Sequence, residues 1–115
     1  MKVYLIREKK NINAIGEYDL ETKTLTVKKG SRVSEDIAYS EKFRGARAIE
    51  RDREETVKDH IVTKDVQFKS ASTAANFVTG SSTNGLVAWK ADNGLTIKEI
   101  IASEETKNDR VGASN

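Results

Sequence analysis

Phe68-Lys69-Ser70-Ala71-Ser72-Thr73-Ala74-Ala75-Asn76-Phe77-Val78-Thr79-Gly80, then Asn84-Gly85 and Trp89-Lys90, is the stretch that decides the fold. A helix N-terminus has free amides, and Ser70 or Ser72 supplies the hydroxyl that accepts from one of them. Ala71, Ala74 and Ala75 are small enough to let the helix lie close on a sheet, while Phe77 and Val78 supply burial. Gly80 closes it, because glycine takes the left-handed conformation that ends helices without a Cβ penalty. Asn84-Gly85 is expected to be a tight turn at positive φ. Leu86, Val87 and Trp89 then return to the core, and Asp92-Asn93-Gly94 makes a second turn. Leu95, Ile97, Ile100 and Ile101 form a last short strand or helical turn, and residues 103–115 are an expected disordered tail.

Upstream, Lys2 to Arg7 is rich in β-formers and reads as a strand, with Lys9-Lys10-Asn11 as its turn. Ile12 to Tyr18 is a second strand, in which Gly16 marks a bulge or a close approach. Thr24 to Val27 alternates apolar and polar residues as a half-buried third strand, ended by Lys29-Gly30-Ser31. Three strands joined by short links make an antiparallel meander. Val33, Ile37, Tyr39 and Phe43 anchor an irregular passage. A helix is expected from Arg44 to Asp59, with Ala46, Ile49 and Val57 as a thin apolar stripe, so it belongs at the periphery. Its interleaved charges predict a salt-bridged solvent face and its end a solvated His60. Ile61-Val62 and Val66-Gln67-Phe68 lead back in extended form. These elements define an α+β fold, with the meander packed against a short capped helix and a peripheral charged helix, as one domain over residues 1–102.

At 115 residues the chain holds one core, and with no cysteine it has neither disulfides nor thiolate chemistry. No segment has the length or apolarity of a membrane span, and a cytoplasmic location is the default. Net charge is +2, too small to imply a polyanion partner. The excess falls in residues 1–35, where Lys28, Lys29 and Arg32 are candidates for phosphate contact. His60 is the only histidine, with neither a second histidine nor a cysteine nearby for a metal site, and no Ser-His-Asp or paired-carboxylate spacing supports hydrolytic chemistry. A non-enzymatic domain without a cofactor is expected.

Two readings compete at the signature. The hydroxyls of Ser70, Ser72 and Thr73 at a helix N-terminus could hold a phosphate, or one serine is simply a cap. Asn84 with Gly85 could meet a base edge, or only shape a turn. Trp89 could stack on a base, although a sole tryptophan among apolar neighbours is usually core. Lys90 beside it is a further candidate for nucleic-acid or partner contact.

The run from Ser70-Ala71-Ser72-Thr73-Ala74-Ala75 through Asn84-Gly85 to Trp89-Lys90 resembles a bacterial family of unknown function that is often fused behind GIY-YIG nuclease domains. Ala14-x-Gly16-x-Tyr18, Val27-x-x-Gly30-Ser31 and Arg51-Asp52-Arg53-Glu54 are similar to that family too, so the likeness spans residues 2–101. The same signature resembles the RAMA domain, found beside restriction and adenine-methylation enzymes and proposed to recognise modified DNA. Two positions depart: Ala71 replaces the usual proline, and Leu86 stands where many relatives carry tryptophan or arginine. The resemblance implies an accessory domain that binds DNA at the Ser70/Ser72/Asn84 corner, or else a protein partner in a restriction or defence system.

Overall fold

The computed structural model describes residues 1–39 and 45–104. Strands β1 (Lys2–Arg7), β2 (Ile12–Tyr18) and β3 (Leu25–Val27) form the expected meander, and β6 (Val66–Phe68) adds beside β3 to give the antiparallel order β1-β2-β3-β6. Period-2 alternation divides the sheet into two faces. Val3, Leu5, Ala14, Leu25, Val27 and Phe68 point inward and are buried. Helix α2 (Ala71–Thr79) covers them with Ala74, Ala75, Phe77 and Val78. The opposite face carries Tyr4 and Ile6 of β1, Asn13 and Ile15 of β2, Thr26 and Gln67, all half-buried or exposed. Gly16 is a close approach and not a bulge. A Cβ there would stand 2.8 Å from Leu25 Cδ2 and 3.2 Å from the Trp89 ring.

Helix α2 begins and ends as the sequence indicates. Ser70 is the N-cap, its Oγ accepting from Thr73 N at 3.1 Å. Gly80 at φ 72° closes the helix, its N–H donating to Asn76 O at 2.8 Å.

Helix α1 (Ala46–Thr56) is shorter than expected. It stops because Val57 turns extended and starts a hairpin, β4 (Val57–Lys58) with β5 (Ile61–Val62). Asp59 and His60 form the two-residue turn, both left-handed (φ 52° and 66°), the pattern of a type I′ hairpin. His60 is therefore an exposed turn residue and not a helix end. Arg44 and Phe43 lie outside the described residues. Tyr39 is exposed rather than an anchor, with its hydroxyl bonded to the Glu50 carboxylate.

The solvent face of α1 carries no ion pair among the described residues; the two pairs present join Met1 to Glu17 and Lys28 to Asp65. Ala46 and Ile49 are buried as expected, and the polar tie of α1 to the core is Arg53. Its guanidinium is buried and donates to Phe77 O from Nε (3.0 Å) and Nη2 (2.7 Å), to Ser34 O (3.0 Å) and to Ser34 Oγ (2.9 Å). The carbonyls of Phe77 and Val78 belong to the last turn of α2, where the helix dipole is negative and a cation is favoured. Burial pulls the Arg53 pKa down to about 10, which leaves the group charged at neutral pH. Arg53→Met is expected to cost about 2–3 kcal/mol, because it strands buried carbonyls without a donor. Arg53→Lys should rescue little, since an ammonium cannot reproduce the planar fork. Urea denaturation of the three proteins checks both expectations.

Beyond α2 the chain makes the short helix α3 (Gly85–Ala88), pairs Lys90 with Tyr4, and turns at 92–94 into a final helix, α4, over residues 97–104. Ile97 is fully buried, whereas Leu95 is exposed. Ser103 and Glu104 continue α4, and residues 105–115 lie outside the described residues.

Candidate nucleic-acid interface

The signature segment forms a knot of internal bonds where α3 meets the first turn of α2. Asn84 is not a positive-φ turn residue. Its φ is −77°, and its Oδ1 accepts from Leu86 N at 3.1 Å as the N-cap of α3. Gly85 is needed for space and not for φ, because a Cβ would run into the carbonyl of Ala71. That approach lets Ser72 Oγ accept from Gly85 N at 3.0 Å. Trp89, fully buried, donates from Nε1 to Ala71 O at 3.1 Å. The ring is core and has no face left for a base.

Ser70, Ser72 and Gly85 are thus committed to the fold, and Thr73 shares a 2.8 Å bond with Ser70 Oγ. Lys28 Nζ pairs with Asp65 Oδ2 at 2.8 Å, and Lys29 N donates to Asp65 Oδ1 at 2.8 Å. The hydrogen bond and charge of Lys28 hold the Asp65 carboxyl below its ordinary pKa, and Asp65 raises that of Lys28. Arg32 exchanges backbone bonds with Asn13 and joins the β4–β5 hairpin to the sheet. Lys28 and Lys29 sit beyond β3, whereas Lys90 lies against β1 at the far side of the sheet. The predicted residues therefore do not form one cluster.

Two of them, Asn84 and Lys90, do meet. They line a groove of about 810 Å³ between β1 and the segment from Ser81 to Gly94. Lys90 creates its wall, accepting at its carbonyl from Tyr4 N (2.7 Å) and donating its N–H to Tyr4 O (2.9 Å). Arg7 borders the groove on the β1 side, Tyr4, Ile6 and Val87 give it an apolar lining, and Asp92 adds one acid. Ile6 is 53% exposed and Val87 46%, so Val87 does not return to the core as expected. The loop wall is braced from behind. Thr83 N donates to Asn76 Oδ1 at 2.8 Å, and the Thr79 and Thr83 hydroxyls are 2.7 Å apart. A braced, partly apolar groove with a few polar groups has the make-up of a ligand site.

Sequence reading missed Tyr4, Ile6, Arg7 and Val87. The signal for the first two was present, since alternation from Lys2 to Arg7 puts Tyr4 and Ile6 opposite Val3 and Leu5. No local signal reports that residue 90 pairs with residue 4.

Among the described residues no group of three or more His, Cys, Asp or Glu is placed to hold a metal ion. No helix among them is long and apolar enough to cross a membrane. A family model described as a domain of unknown function, DUF4357, matches residues 5–101. No curated protein matches the chain, and no solved structure does.

Proposed function

The chain belongs to the DUF4357 family of unknown function, and we propose that it is a non-enzymatic accessory domain that binds nucleic acid. The observation that carries this reading is the β1–α3 groove, where Arg7 and Lys90 border an apolar lining beside Asn84. Cations at the rim attract phosphates, and apolar and amide groups between them suit bases. The likeness of the Ser70-to-Lys90 signature to GIY-YIG-associated and RAMA domains supports a role beside DNA modification or restriction enzymes, in the cytoplasm. The hydroxyls serve the site indirectly, Ser70 by capping α2 and Ser72 by holding α3 to it.

A protein partner in such a system is the second reading, favoured by the exposed Ile6 and Val87. Salt separates the two. Fluorescence anisotropy with short labelled oligonucleotides should show affinity falling as salt rises. Arg7→Gln with Lys90→Gln should flatten the slope of log K against log salt by about 0.7 per lost single-strand contact. Binding that ignores salt, or a slope unchanged in the double variant, counts against the nucleic-acid reading at this groove.

A further inference from the structure

The open face of the sheet beside the groove points to the form of nucleic acid. We propose that the ligand is single-stranded, with one base stacked on Tyr4 and the next resting on Ile6; this rests on the nucleic-acid reading above. Tyr4 and Ile6 are neighbours on the outer face of β1, with Ile15 and Asn13 opposite them on β2. Alternate residues of a strand are about 6.6 Å apart, roughly twice the rise of about 3.4 Å per nucleotide in a stacked duplex strand. Bases seated on both side chains must therefore be spread from one another, which a single strand allows and a duplex does not.

Aromatic stacking beside a cationic track is the general means of holding single strands. At the groove Tyr4 is the aromatic available for it, since the indole of Trp89 is sealed in the core. The track on this face is Lys90, which pairs with Tyr4, and Lys2, whose Nζ lies 5.6 Å from the Tyr4 ring centroid. Arg7, opposite the buried Ile12, borders the groove from the other face. Lys2 is exposed, and its flexible arm can leave the ring for a phosphate. Of the acids nearby, Glu17 is already matched by the Met1 ammonium at 2.6 Å, which leaves Asp92 as the opposing charge in the groove.

The test uses the full chain with three labelled probes: a single-stranded DNA hexamer, the same sequence as a duplex, and an abasic hexamer. The hexamer should bind at least fivefold tighter than either of the others. Tyr4→Leu, which keeps apolar bulk, should lose at least fivefold for the hexamer, and Tyr4→Phe should retain binding. A melting curve verifies that Tyr4→Leu is folded; if it is not, the abasic comparison on the natural chain decides. Equal binding of hexamer and duplex, or of hexamer and abasic strand, overturns the stacked single strand while leaving nucleic-acid binding in place. No binding of any probe at low salt overturns both and redirects the search to a protein partner.

Discussion

Gly85→Ala is expected to destabilise the protein by about 3–5 kcal/mol, a large cost for a single methyl. The backbone at Gly85 is in an ordinary region, so the penalty is not conformational. The new Cβ would overlap the carbonyl of Ala71 and the amide of Ser72, both main-chain groups in the first turn of α2. Neither can rotate away, so α3 must lift off α2. That movement breaks the bond from Gly85 N to Ser72 Oγ and draws Trp89 Nε1 from Ala71 O. Overpacking a core costs about 1–3 kcal/mol, and each buried polar group left without a partner adds about 1–3 kcal/mol. Chemical denaturation followed by Trp89 fluorescence reads the result. A loss below about 1 kcal/mol would mean that α3 is not seated on α2 as described.

Gly80→Val is expected to cost about 4 kcal/mol, for two separate reasons. At φ 72° a β-branched residue resists the left-handed region, which costs L-residues about 1–2 kcal/mol even without branching. A Cβ would also strike the carbonyl of Asp36 and lie 2.6 Å from Ser34 Oγ. Ser34 is one of the partners of Arg53, and Ala38 N donates to Gly80 O at 2.7 Å, so the clash reaches the point where loop, α1 and α2 meet. Gly80→Ala keeps the clash and the left-handed strain of any L-residue, so its difference from Gly80→Val reads only the part due to branching. Equal melting temperatures for Gly80→Val and the natural chain would refute the left-handed cap.

What could be read in the sequence was what local chemistry fixes. The meander followed from alternation, and α2 from a serine before it and a glycine after it. Asn84-Gly85 misled because the dipeptide signals a positive-φ turn, whereas here the glycine answers to Ala71, fourteen residues earlier. Arg53 could not be told from Arg47 or Arg51 by sequence, since only the folded position of the α2 C-terminus makes it the buried one. The helix running to Asp59 failed for a similar reason. Val57 and Ile61-Val62 pair with each other, and an Asp-His turn was no more conspicuous than helix-forming charges. At the site, Asn84 and Lys90 were legible as candidates. The groove that unites them with Tyr4, Ile6 and Arg7 depends on a pairing between the two ends of the domain.

The most direct test of nucleic-acid binding at this groove is a nitrogen-15 correlation NMR titration of the chain with a single-stranded hexamer, at low and then physiological salt. Shifts are predicted at residues 4–7, 81–84 and 87–92, shrinking as salt rises. No shift at low salt, or shifts that cluster at Lys28 to Arg32 and leave the groove silent, would contradict it.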